Sequence, residues 1–217
     1  MRSLALTLCA VILLTIFLWS GQEIVIRLSE YQAARSEYIQ LREQVDIPAE
    51  TSTETEDENT VEGINFDALY TINPNVVGWI FIPYTTIDYP VVQGADNERY
   101  LRYTFSGQRN SSGAIFLDYR NNPDFSDPHT LVYGHNMQDG SMFSSLQDWN
   151  GDRFILHTPN GILEYIVFNR QIVSANHEMY TLPNVVADSG MQVVTLSTCI
   201  SGRPYLRYVV QGRLLEP

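Results

Sequence analysis

The sequence predicts a mostly β domain, a closed barrel or a sandwich with short peripheral helices, carried behind an N-terminal membrane-anchor helix. Three observations predict it. Short β-like runs separated by turn signals fill residues 64–217. Tyr is abundant at 13 residues, and with Val, Ile and Thr it suits half-buried pleated strands. An apolar stretch, Leu4 to Trp19, opens the chain.

That opening stretch is interrupted only by Thr7 and Thr15, and Arg2 precedes it. Trp19 closes it at the interfacial position that aromatics favour. A bilayer core takes about 20 helical residues, so Ser20, Gly21 and Gln22 would complete the span. A cleaved signal peptide is the rival reading, but Trp19 and Gln22 crowd the place of a small-x-small cleavage site. Positive charge ahead of the span puts the N-terminus inside and the bulk of the chain outside. Residues 1–22 are therefore expected to be a transmembrane signal-anchor.

Residues 23–46 carry Ile24, Ile26, Leu28, Tyr31, Ala34, Tyr38 and Leu41 among charges, with no Gly or Pro, and read as a juxtamembrane helix. Pro48 breaks it. Residues 47–63 are rich in Thr and Glu with almost no large apolar side chain, and are expected to be a flexible acidic linker. The folded domain is expected over 64–217. Asn65 or Asp67 caps a short helix at 66–71, ahead of Pro74. Strands follow at 76–82, 86–92, 113–118, 130–133, 153–157, 162–169, 171–174, 192–198 and 206–213. Pro83, Gly94, Asn121-Asn122-Pro123 and Asn160-Gly161 punctuate them. Short helices are expected at 97–103 and 141–147.

The chain holds 13 Lys and Arg against 25 Asp and Glu, a formal net charge of −12. A nucleic-acid binder needs a basic face, so that class is set aside. Much of the acid lies between Glu50 and Glu62, so the excess belongs largely to the linker. No metal or cofactor is expected. No close Cys/His pair occurs, and no Gly-rich phosphate loop.

Two cysteines are present, Cys9 in the apolar stretch and Cys199 near the C-terminus. Separated by a membrane, they cannot pair, and a lone thiol in an exported domain is a candidate nucleophile. The alternative is a small buried hydrophobe. The run Met191 to Thr198 reads as an apolar strand that delivers Cys199 at its end, beside a Gly-containing loop. Such a place offers the partial exposure that a reactive thiol needs. Of four histidines, His135 stands out, because the strand at 130–133 and the turn Gly134-His135-Asn136 put it at a second strand end. His129, His157 and His177 fall in polar loops and turns, and any of the four also reads as a surface residue. Arg207 heads the last strand, which is expected to pair with the strand that ends at Cys199. A guanidinium there suits both a thiolate and an acyl oxyanion. Arg203, before Pro204 in the loop, is the weaker candidate.

Thr195-Leu196-Ser197-Thr198-Cys199, with an arginine opening the next strand, resembles the sortase signature. Four further blocks resemble class B sortases, in the same order: Asn73-Pro-Asn-Val-Val-Gly-Trp-Ile80, Ile87-Asp-Tyr-Pro-Val-Val-Gln-Gly94, Gly113-Ala-Ile-Phe-Leu-Asp-Tyr-Arg-Asn-Asn122 and Val132-Tyr-Gly-His-Asn-Met137. The resemblance implies a closed eight-stranded β-barrel with the site at one end of a groove. It implies Cys199 as nucleophile, His135 as its histidine and Arg207 as its arginine. Asn97, Leu101, Tyr133 and Ser197 fall where class B enzymes line the sorting-signal pocket.

The activity implied is a cysteine transpeptidase that cleaves an Asn-Pro-x-Thr-x sorting signal after Thr and transfers the acyl group to an amine. The implied partners are surface proteins or pilins that bear the signal, a peptidoglycan precursor or another amine acceptor, and the membrane through the N-terminal helix. A pilin-polymerising sortase and a non-catalytic wall-binding barrel are the alternatives. The implied location is the outer face of the plasma membrane of a Gram-positive-type cell. Two departures stand out: Ile200-Ser201-Gly202 lacks the acidic residue that class B members often carry after the cysteine, and the connection at 176–190 is too short for their usual long helix.

Overall fold

In the computed structural model, which describes residues 2–45, 64–181 and 191–215, eight strands close into one barrel. They are β1 (Val76–Phe81), β2 (Asp88–Gln93), β3 (Ile115–Leu117), β4 (His129–Tyr133), β5 (Arg153–Thr158), β6 (Gly161–Ser174), β7 (Val193–Ile200) and β8 (Arg203–Leu214). The order around the barrel is β1-β2-β3-β4-β7-β8-β6-β5, and β5 returns to β1. Two neighbouring pairs run parallel, β2 with β3 and β4 with β7; the other pairs are antiparallel.

The choice between barrel and sandwich is thus a closed barrel. The runs expected as separate strands at 162–169 and 171–174 form one strand, β6, which passes an irregularity between Val167 and Asn169 without ending. The helices expected at 97–103 and 141–147 shrink to single 3-10 turns at Arg99–Leu101 and Ser144–Gln147. Helix α2 (Phe66–Ile72) is capped by Asn65, whose side chain accepts from the Ala68 N–H, so Asp67 is not the cap. Trp79, Ile80, Ile115, Val132, Phe154, Leu156, Tyr165, Leu196 and Val210 belong to one buried core. Trp79 is fully buried and donates its indole N–H to Asp88 at 2.7 Å, which satisfies its one polar atom.

Helix α1 (Arg2–Gln44) runs unbroken through the expected anchor and the expected juxtamembrane helix. Its two halves differ in what covers them. An 18-residue window has a mean hydropathy of 2.0 and no buried residue, so the helix is long and apolar enough to cross a membrane. Further along, Ala34, Tyr38, Leu41 and Val45 are buried at 3–4 residue spacing against the barrel. Tyr38 donates to the Gly113 carbonyl at 2.9 Å and meets Tyr89 edge-to-face at 5.1 Å. Arg42 pairs with Asp88 at 3.0 Å and lies over the Tyr89 ring. The part expected as a juxtamembrane helix is therefore a docked element of the barrel. The acidic linker expected over 47–63 lies outside the described residues.

Candidate active site

The site is built by the register of three neighbouring strands. β4 and β7 are parallel, with Tyr133 opposite Ser197. Side chains repeat every two residues along a strand. Two residues on, His135 lies just past the end of β4 and Cys199 near the end of β7, and both line one cavity. β8 then returns antiparallel with Arg207 opposite Cys199. Histidine, cysteine and arginine form a lateral row across three adjacent strands, although 72 positions separate the first from the last in sequence.

Local bonds fix the row. The Gly134 N–H donates to the Ser197 carbonyl at 3.1 Å, and Thr198 Oγ1 donates back to the Gly134 carbonyl at 2.8 Å. Asn136 Nδ2 donates to the Cys199 carbonyl at 3.0 Å. Gly134 has no room for a side chain: a Cβ would lie 2.5 Å from Ile115 and 2.7 Å from Phe143. His135 Nε2 lies 2.9 Å from the Leu101 carbonyl. A carbonyl only accepts, so Nε2 carries the hydrogen and Nδ1 is left for proton exchange. Cys199 is a free thiol, half-buried.

Arg207 does not head its strand, as the sequence suggested. β8 begins at Arg203, which pairs with Ile200 across the Ser201-Gly202 turn, with Gly202 at φ +71°. Between the pairs Ile200–Arg203 and Cys199–Arg207, residues 204–206 have no partner on β7 and bulge outward. Arg207 Nη1 donates to the Pro204 and Leu206 carbonyls at 2.7 and 2.9 Å, closing the bulge and holding the guanidinium against it. Arg203 is exposed on the far side of the turn.

These three side chains and the four expected at the pocket, Asn97, Leu101, Tyr133 and Ser197, line one cavity of about 290 Å³. Phe116, Ala175 and Tyr180 also line it and were missed in the sequence. Tyr180 ends a 3-10 turn at Glu178–Tyr180, stacks on Tyr133 at 6.3 Å and hydrogen-bonds Ser197 Oγ at 2.8 Å. Its signal was weak, one Tyr in a short polar connection. Residues 182–190 of that connection lie outside the described residues. Burial pushes the Tyr180 hydroxyl up despite the Ser197 bond and the Arg207 charge. Burial, reinforced by Asp118, pushes the Tyr133 hydroxyl further up. Both phenols remain protonated and act as neutral hydrogen-bonding groups.

Behind the wall lies Asp118, which no motif singled out as functional. It is fully buried. Burial pushes its carboxyl up, but the bonds from Arg120, Asn97 and Tyr133 outweigh burial and hold it below the usual range. The other histidines are elsewhere. His129 is buried at the start of β4, against the sequence expectation of a loop; His157 lies within β5, and His177 caps the Glu178–Tyr180 turn. Among the described residues, no group of three or more His, Cys, Asp or Glu is placed to hold a metal.

A sortase-domain family model matches residues 80–215. The chain is 32% identical to sortase B of Listeria monocytogenes over 178 residues, which is 68% of this chain and 72% of that protein. Sortase B from Bacillus anthracis, in complex with AAEK1, superposes with a TM-score of 0.67 at 28% identity and covers 88% of this chain and 100% of that one. A Streptococcus pyogenes class B sortase involved in pilus biogenesis superposes with a TM-score of 0.63 at 28% identity, over 70% of this chain and 98% of that one.

Proposed function

The chain belongs to the sortase family, with class B members as its relatives, and on that premise we propose that it is a membrane-anchored cysteine transpeptidase that works through Cys199, His135 and Arg207. The observation that carries this reading is the lateral row of those side chains across β4, β7 and β8, opening into one cavity.

The Cys199 thiolate attacks the Thr carbonyl carbon of an Asn-Pro-x-Thr-x sorting signal, and a C–S bond forms as the carbonyl oxygen takes the charge. Arg207 stabilises that oxyanion. The C–N bond then breaks, and the leaving amine takes the proton held on His135 Nδ1. The thioester remains on Cys199. An incoming amine gives its proton back to His135, attacks the thioester carbonyl and expels the thiolate, completing a two-step transfer. Asn97, Leu101, Tyr133 and Ser197 bind the signal beside the thiol, and the Leu101 carbonyl also keeps the imidazole oriented.

The division of the chain follows the same reading. Residues 1–22 anchor it as a single-pass span, 23–46 form the juxtamembrane helix, 47–63 the linker and 64–217 the catalytic domain on the outer face of the cell envelope. The acceptor is an amine of a peptidoglycan precursor. A second reading, a pilin lysine as acceptor, is favoured by the likeness to the Streptococcus pyogenes class B sortase involved in pilus biogenesis.

The full chain in detergent, given quenched sorting peptides and oligoglycine, tests this. Cleavage with transfer that disappears in Cys199→Ala is the expected result. No Cys199-linked thioester with any peptide would overturn the enzymatic reading. Transfer to a pilin-type lysine peptide in preference to oligoglycine would replace the first acceptor with the second.

A further inference from the structure

We propose that Asp118 is a positioning residue for the sorting-signal pocket: one buried carboxylate that holds three residues of the pocket wall in place from behind. This rests on the transpeptidase reading above and goes beyond it, because Asp118 does not line the cavity.

Asp118 follows β3 directly, and five donors converge on its two oxygens. Oδ1 accepts from the Arg120 backbone N–H at 3.0 Å and from Arg120 Nε at 2.8 Å. Oδ2 accepts from Arg120 Nη2 at 2.8 Å, from the Tyr133 hydroxyl at 2.9 Å and from Asn97 Nδ2 at 2.8 Å. A carboxylate offers about four lone-pair sites, so this one is saturated. Asn97 and Tyr133 are wall residues from different segments. Arg120 extends the reach to a third, since its Nη2 also donates to the Tyr180 carbonyl at 3.0 Å. Loop, β4 and the Glu178–Tyr180 turn therefore share one anion.

The carboxylate sets the polarity the wall presents. Asn97 gives Nδ2 to Asp118, and its Oδ1 accepts the Tyr119 N–H at 3.0 Å, so its amide cannot turn round without losing both bonds. The Tyr133 hydroxyl is committed as a donor to Asp118, which orients the ring that stacks on Tyr180. In Asp118→Asn one acceptor oxygen becomes an NH₂ group. That group must face either the Arg120 fork or the Asn97 amide, both of which only donate there, so at least one arm is lost. His135, Cys199 and Arg207 are tied through Leu101, Asn136 and the β8 bulge, and none of those bonds involves Asp118. Peptide binding and thiol chemistry should therefore separate.

The test uses the full chain in detergent with a sorting peptide that the parent cleaves; a parent that forms no thioester removes the transpeptidase reading, and this proposal with it. In Asp118→Asn, KM is expected to rise about tenfold, with kcat within about threefold. The alkylation rate of Cys199 by iodoacetamide, which needs no peptide pocket, is expected to stay within about twofold of the parent. Tyr133→Phe raises KM about threefold, and the double variant falls short of the product of the two losses, because the Tyr133 bond is one of the arms that act through Asp118. KM within twofold of the parent in folded Asp118→Asn overturns the proposal. So does a double variant whose losses multiply, or a fall in kcat and alkylation together, which would give Asp118 a role at the thiol instead. Should Asp118→Asn not fold, Arg120→Met decides: a raised KM supports the proposal, and an unchanged one overturns it.

Discussion

Cys199 and Arg207 are directly opposite each other across the antiparallel pair β7–β8, one step before that ladder breaks into a bulge. Opposed residues hold their Cβ atoms about 5 Å apart on one face. The bulge at 204–206 adds what pairing alone lacks, because its Pro204 and Leu206 carbonyls hold the guanidinium in place. Arg203 pairs with Ile200 on the exposed side of the turn.

The two arginines should therefore separate in a kinetic test. Arg207→Ala is expected to lower peptide transfer about 10²–10³-fold, the range of a lost oxyanion donor, with little change in melting temperature. Arg203→Ala is expected to stay within about threefold of the parent, as an exposed charge should. Rates of transfer for the two variants, measured with thermal melts, check this. Equal losses would assign the oxyanion to both.

Gly134 gives a prediction about positioning. A Cβ there would meet the Ile115 and Phe143 side chains at 2.5 and 2.7 Å, so the β4 end or those side chains must shift in Gly134→Ala. Overpacking of this kind costs about 1–3 kcal/mol. Because Gly134 adjoins His135, transfer should fall further than the stability loss explains. A denaturant midpoint together with kcat/KM tests it, and a destabilised variant with parental kcat/KM would show that the imidazole is insensitive to the strand end.

Much of this candidate site was legible in the sequence, because Cys199 and His135 stand at or just past strand ends. The apolar run before Cys199 and the short run before His135 each announce a strand, and pairing of the last two strands brings Arg207 to the thiol. The bulge was not legible: it depends on β6 holding Leu206 opposite Ser174 while β7 leaves 204–206 unpaired. Asp118 was not legible as a hub either. A Leu-Asp-Tyr-Arg string shows an acid near a base, but the Asn97 and Tyr133 bonds arise only when loop, β3 and β4 meet. Likewise the segment around Tyr38 reads as a helix with apolar residues among charges, and only the Gly113 carbonyl and Tyr89 reveal what it packs against.

That docking makes residues 30–45 part of the stability of the barrel. Tyr38 is 3% exposed and makes one buried hydrogen bond. Tyr38→Ala is expected to cost about 3–5 kcal/mol, as for a buried aromatic truncated to Ala, and Tyr38→Phe about 1 kcal/mol for the hydrogen bond alone. A chain starting at residue 64 should melt below one starting at residue 23. Equal melting of the two would mean that the helix rests on the barrel without stabilising it.

His129 sets an acid limit on the fold. It is 3% exposed, its Nε2 lies 2.8 Å from Thr195 Oγ1, and its Nδ1 has no hydrogen-bond partner among the described residues. Thr195 Oγ1 accepts from Gln211 at 3.1 Å and has a second lone pair for His129 Nε2–H, but an imidazolium also donates from Nδ1, and that second proton meets no acceptor among the described residues. Burial accordingly pushes His129 down to about 4 from 6.5. The folded value lies below the unfolded one, so the unfolded chain binds the extra proton between those limits. Stability is then full above about pH 6.5 and is lost as pH falls towards 4, by at most about 3 kcal/mol. Burial lowers His157 as well, so some slope persists without His129. Urea midpoints at pH 7, 5.5 and 4.5 should fall more steeply for the parent than for His129→Asn, and parallel declines would show that the proton is taken up elsewhere.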